Sequence, residues 1–257
     1  MRQFCLSLLC LCTVLPAAKA LAGAPNHAVQ LARLAVGTAP AGLDAALAAW
    51  AQETRLRTSV EITHQAQPVR LGSKALFNYP LLYLGGGEAL AKPSTHAVAL
   101  LRQYVHTGGT IVVDDIGRAG PSTAFDRDVR HLFHQVTNKD FERIAATHVL
   151  FRSFYRLSRP VGRRADAGHL EGIRVGKHFA VIYIHDDLAG AFLRAATGGP
   201  ALRAVPGGEP QREQAHRLAI NLVMYALCLD YKDDHTHVSH LLRHRRGRQP
   251  PPEPDGP

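Results

Sequence analysis

The chain has almost no cysteine where a fold could use it. Of the four, Cys5, Cys10 and Cys12 crowd the N-terminus and Cys228 stands alone near the other end. Once the N-terminal segment is removed no intramolecular disulfide can form, so packing alone must hold the fold. Long apolar runs are missing as well. A membrane-spanning helix needs about 20 apolar residues, and the run at 4–16 stops at Pro16 with Lys19 soon after. Leu8 and Leu9 precede Cys10 where a lipid anchor would need small residues. No segment repeats at a fixed period, which excludes solenoids and propellers. Acids are the minority charge, 21 Asp and Glu against 30 Lys and Arg, for a net charge of +9. That excess, densest at Arg152, Arg156, Arg159, Arg163 and Arg164, reads either as a solvated face or as a site for an anionic partner such as a lipid headgroup, polysaccharide or acidic protein.

What the N-terminus does contain is a charged start at Arg2, an apolar stretch at 4–16 and small residues at 17–24, the order of a secretory signal peptide. Ala20 and Ala22 set a small-x-small site that leaves Gly23 as the first mature residue; cleavage after Ala20 is the alternative. The protein is therefore expected in the periplasm or secreted, without a transmembrane anchor after cleavage and without a nucleic-acid partner. Loss of residues 1–22 removes Arg2 and Lys19 and lowers the net charge of +9 by two. The remainder divides into a single α/β domain at 23–232, long enough to bury a large core, and a polar tail at 233–257. That tail is rich in His, Arg and Pro and is expected to be largely disordered.

Hydrophobic periodicity gives the element order. A strand is predicted over 30–36, and an Ala-rich helix over 42–54 with Leu43, Ala46, Leu47 and Trp50 at helical spacing. Alternation at 58–63 predicts a second strand, and the apolar run 79–84 a buried third that ends in a tight loop at Gly85, Gly86 and Gly87. Ser94 or Thr95 caps a helix that presents Val98, Leu101 and Val105 and stops at Gly108 and Gly109. A buried strand follows over 110–113. Further on, 124–136 is helical in pattern, 173–175 and 179–184 form a hairpin around Gly176 and Lys177, and 211–229 is a long helix with Leu218, Leu222, Tyr225 or Ala226, and Leu229 inward. Strands alternating with helices predict a mostly parallel, doubly wound sheet with helices on both faces.

Four constellations could carry chemistry. Asp114 and Asp115 close a central strand, where open α/β sheets bind ligands; on an extended strand they point to opposite faces, and each could equally cap local structure. Gly85, Gly86 and Gly87, with Glu88, either admit backbone N–H groups to an anion or simply make a turn. His185, Asp186 and Asp187 set an imidazole beside carboxylates, adequate for general acid–base work, although Asp187 is also placed as a helix cap. Asp115, His185 and Asp186 are thus the candidate catalytic residues. In the tail, His235, His237, His240 and His244 could hold Zn²⁺ or Cu²⁺, or bind metal only adventitiously. Cys228 is expected to be a small buried hydrophobe, and no cofactor is expected.

Several segments carry a family resemblance: Phe77-Asn78-Tyr79-Pro80-Leu81-Leu82-Tyr83; Leu101-Arg102-Gln103-Tyr104 with Gly108-Gly109 through Val112-Val113-Asp114-Asp115; the stretch 148–157; and Arg217-Leu218-Ala219-Ile220-Asn221-Leu222-Val223-Met224-Tyr225-Ala226-Leu227. Together they resemble the domain-of-unknown-function family numbered 4159, over about residues 31–237. The resemblance implies a flavodoxin-like fold related to class I glutamine amidotransferases, in bacterial envelope proteins to which no reaction is assigned. In some relatives the domain is fused to membrane proteins carrying von Willebrand factor A-like regions, accompanied by a MoxR-type ATPase, and the resemblance so implies envelope proteins with such regions as partners. Amidotransferases place their nucleophilic cysteine directly after the strand that corresponds to 110–113. Here Asp114, Asp115 and Ile116 stand there, so glutaminase chemistry has no nucleophile. The resulting expectation is a non-catalytic ligand- or protein-interaction module on an amidotransferase-like scaffold, with a hydrolase using Asp115 and His185, or metal binding by the tail, as alternatives.

Overall fold

The computed structural model describes residues 28–37, 39–117 and 123–246, with side chains through Cys228. The expected signal segment at 1–22 and the Pro-rich end at 250–257 lie outside these residues. Seven strands form one sheet in the order β2-β1-β3-β4-β7-β6-β5. The first five of that order are parallel: β2 (Ile62–Arg70), β1 (Val29–Ala35), β3 (Leu81–Gly86), β4 (Thr110–Asp115) and β7 (His178–Ile184). This is the flavodoxin-like order 2-1-3-4-5. An antiparallel edge of β6 (Glu171–Val175) and β5 (Glu142–Arg143) extends it.

Helices cover both faces. On one, α1 (Leu43–Arg57) and α4 (Gly208–Arg246) bury Trp50, Leu47, Leu218 and Leu222 against Leu31, Tyr83, Val112 and Ile182. On the other, α2 (Thr95–His106) and α3 (Ala124–Thr137) bury Leu101, Tyr104, Phe125 and Phe133 against Leu82, Leu84, Ile111 and Val113. Odd and even positions of a single strand thus serve different cores, the period-2 rule of a sheet buried on both sides. Caps are local. Ser94 accepts a bond from the Ala97 N–H at 3.2 Å and Thr123 one from the Asp126 N–H at 3.1 Å, so the orphan amides of both helix starts are met by the residues that precede them.

Several features differ from the sequence reading. The second strand begins at Ile62, not at 58, because the Thr58 N–H still closes α1 onto the Thr54 carbonyl at 2.9 Å. It then runs through the polar residues Thr63, Gln65 and Gln67 and past Pro68, which an edge strand with one partner tolerates. The third strand extends through Gly85 and Gly86, leaving only Gly87 in the turn. The backbone of α4 continues to Arg246; neither Gly nor Pro interrupts the sequence from 211 to Gly247. Finally, Cys228 is exposed, not buried, because Tyr225 and Ala226 take the inward positions of that turn. No described helix is long and apolar enough to cross a membrane.

Candidate ligand crevice at the strand carboxyl ends

Because β1 connects outward to β2 while β3 lies on its other side, the loops that leave β1 and β3 diverge. A crevice opens at such a switch point. It measures about 630 Å³ and is lined by Val36, Gly37, Ala39 and Pro40 after β1, by Gly86 to Ala91 after β3, and by Ile116 and Gly117 after β4. Most of this wall is backbone and small side chains, and among the described residues that line it Glu88 is the ionisable group.

The glycines earmarked from sequence are shaped first by packing. A Cβ on Gly85 would lie 2.5 Å from the Tyr83 ring, one on Gly86 would overlap the Phe125 ring, and one on Gly87 would lie 2.5 Å from the Cα of Gly117. The third is the contact that matters for the crevice. It lets the loops after β3 and β4 touch backbone to backbone and form one continuous floor. The Ile116 N–H donates to the Gly86 carbonyl at 3.0 Å across the same junction.

Asp114 and Asp115 do point to opposite faces, and neither side chain lines the crevice. Asp114, fully buried under α1 and α4, accepts the Tyr83 hydroxyl at 2.7 Å and the N–H groups of Leu188 and Ala189 at 2.9 and 2.8 Å. Burial, reinforced by the Asp187 carboxylate, raises its pKa to about 7 even though these donors oppose the shift. The Asp115 side chain accepts from the Gly117 N–H at 3.0 Å and so fixes the turn that floors the crevice. Burial raises its pKa; the Gly117 amide, Arg164 and His185 act in the other direction.

The three residues after β7 are likewise committed. His185 meets Glu171 at 2.8 Å, and Arg130 bonds the same Glu171 oxygen at 2.6 Å. The bond to His185, then those from Arg130, hold the Glu171 carboxyl down to about 2 against the effect of burial. Asp186 gathers the N–H groups of Asp166 and Ala167 at 3.0 and 2.9 Å, although burial raises its pKa. Asp187, at φ 54, pairs with Arg163 and accepts the Gly190 N–H of the short turn Ala189–Ala191 at 2.9 Å.

Arg164 links the two strand ends. Buried to 8% exposure, it donates to the carbonyls of Gly117, Asp115 and His185, the last two at 2.9 and 3.1 Å. Asp115 and His185 are therefore linked through a shared arginine, and no hydrogen bond joins their side chains. Sequence reading had placed Arg164 only within a basic stretch, since a buried arginine bonded 49 residues away leaves no local pattern. Glu171 was more accessible. The hairpin register sets it opposite Tyr183, two residues before His185. The side chains of His235, His237, His240 and His244 lie outside those described, and among the described residues no group of three His, Cys, Asp or Glu could hold a metal.

Comparison with known proteins adds one match. A family model described as a domain of unknown function, DUF4159, matches residues 30–227. No curated protein matches the chain.

Proposed function

The chain belongs to the DUF4159 family, and on that premise we propose that it is an exported, non-catalytic recognition module that seats a ligand or partner segment in the crevice between the loops after β1 and β3. The support comes from the end of β4. In the amidotransferase-like scaffold that the sequence resembles, this turn carries the nucleophile. Here it carries Asp114 and Asp115, whose carboxylates are bonded into the structure and turned away from the crevice. What remains, among the described residues, is a concave wall of backbone edges with one carboxylate, Glu88, suited to hydrogen bonding an amide, hydroxyl or ammonium group. Its partners would be envelope proteins, those with von Willebrand factor A-like regions first among them.

Ala89 lines the crevice and is exposed, so Ala89→Trp fills the space without entering the core. The purified domain should enrich a component from envelope extracts, and Ala89→Trp should lose it while keeping the melting temperature. Equal enrichment by both would remove the crevice from the mechanism. Export is checked by cell fractionation and N-terminal sequencing, with Gly23 as the expected first residue.

The hydrolase reading retains one specific support, the Glu171–His185 pair at 2.8 Å, which has the geometry of an oriented general base. Its weakness is position, since His185 does not line the crevice. Ester or amide turnover by the purified domain that His185→Gln abolishes would favour this reading over the first.

A further inference from the structure

The five arginines of the basic stretch do not share one fate. Arg163 and Arg164 turn inward, to Asp187 and to the strand ends. Arg156 and Arg159 are exposed, and neither has a hydrogen-bond or carboxylate partner among the described residues. Both line a second concavity, about 740 Å³, between the segment 156–161 and the first turns of α4. Arg217 closes it from α4, with Gln214 and Ser158 beside it, and among the described residues no carboxylate belongs to the lining.

This wall is held in place from behind. The Asn221 side chain accepts the N–H groups of Phe154 and Tyr155 at 3.2 and 2.7 Å and donates to the carbonyls of Leu150 and Tyr155 at 3.0 and 2.8 Å. Gln211 donates to the carbonyls of Gly162, Arg163 and Val205 at 3.1, 2.8 and 2.8 Å. The segment is thus pinned to α4 at both ends, and Leu157, Pro160 and Val161 are buried between the pins. Arg156 and Arg159 are what this arrangement leaves pointing out. Arg217 stacks 5.2 Å from the Tyr155 ring and bonds Glu213 at 2.8 Å, which fixes its guanidinium at the rim.

We infer that this groove is a binding site for a phosphate-bearing ligand, distinct from the crevice at the strand ends. Guanidinium groups recognise phosphoryl oxygens with paired N–H bonds. Two of them here have no partner among the described residues, on a backbone fixed before any ligand arrives. The start of α4 adds its positive dipole end to the same wall. The volume suits a small organic phosphate or a single lipid headgroup, and not an extended polymer.

The test is calorimetric titration of the purified chain with sodium pyrophosphate, alongside sedimentation with phosphatidylcholine vesicles that contain or lack phosphatidylglycerol. Arg156→Gln with Arg159→Gln should weaken binding tenfold or more. Arg70→Gln with Arg143→Gln, an equal charge loss at exposed positions outside the groove, should change it less than twofold. All four residues are on the surface, and unchanged melting temperatures establish that the variants fold. Pyrophosphate binding without vesicle binding identifies a soluble phosphorylated ligand. Vesicle binding that requires phosphatidylglycerol and the Arg156 and Arg159 pair identifies a headgroup. Equal weakening by both pairs would reduce the effect to diffuse surface charge, and binding of neither probe would overturn the proposal outright.

Discussion

Asp114 and Tyr83 meet at 2.7 Å beneath α1 and α4, at a point where both side chains are fully buried. The pair ties the middle of β3 and the penultimate residue of β4 to the turn that follows β7, because the same carboxylate receives the amides of Leu188 and Ala189. Removing it leaves three donors without an acceptor. Asp114→Ala is expected to cost about 3–5 kcal/mol, read from urea unfolding.

The titration of Asp114 gives this prediction a pH signature. Its pKa in the fold, about 7, lies above the ordinary 3.8, so between those values the folded state holds the proton more firmly than the unfolded chain does. Its contribution to stability is therefore complete below 3.8 and declines as pH rises towards 7. Asp114→Asn lacks that decline. The deficit of the variant relative to wild type should be larger at pH 5 than at pH 8, and a deficit that grows with pH would contradict the assignment.

Glu171 behaves in the opposite sense. Its pKa is lowered from 4.5 to about 2, so its pairing with His185 and Arg130 stabilises the fold above pH 4.5 and is lost as pH falls towards 2. After allowance for solvent screening, Glu171→Gln should cost about 1–2 kcal/mol at pH 7. The difference from wild type should shrink on acidification to pH 3, as followed by thermal unfolding.

The contact between Gly87 and Gly117 predicts a steric effect with two readouts. Gly87→Ala drives a methyl into backbone rather than into a movable side chain, at an expected cost of about 1–3 kcal/mol. It should also separate the loops that floor the crevice. Wild-type crystals and variant crystals compared at this junction would show the displacement, and a variant with unchanged melting temperature would refute it.

Asn221 predicts the behaviour of a whole segment. It is fully buried and satisfied four times over. Asn221→Ala orphans two amides and the Tyr155 carbonyl, while the Leu150 carbonyl keeps the Ser153 hydroxyl at 3.2 Å, and should cost about 2–4 kcal/mol. Hydrogen exchange should rise selectively at 150–163, and exchange unchanged there would mean that burial of Leu157 and Val161 holds the segment unaided.

The strands and helices were legible because their signals are local. Leu43, Leu47 and Trp50 mark one helix face, Ser94 marks a cap, and the Gly176 turn marks a hairpin. Errors came where a local pattern had two readings. Thr58 alternates like a strand residue but caps α1, and Gly85 and Gly86 read as a loop when they are strand residues made small by Tyr83 and Phe125. The candidate site was legible only as a list of residues. That Asp114 and Asp115 face opposite ways followed from the pleat; that neither faces the crevice did not.

By itself, the sequence determined the alternation of strands and helices, the two-sided burial of the sheet, and the lack of any thiol at the turn after β4. All three depend on spacing along the chain. Only the tertiary structure decided how the carboxylates, arginines and glycines are used. Asp115 is joined to Arg164 across 49 residues, Glu171 to His185 across a hairpin, and Gly87 to Gly117 across two loops. Such partners are chosen by the strand order and the burial it imposes, and a polar group's role changes entirely according to whether its donors come from its own turn, from a distant arginine, or from a ligand.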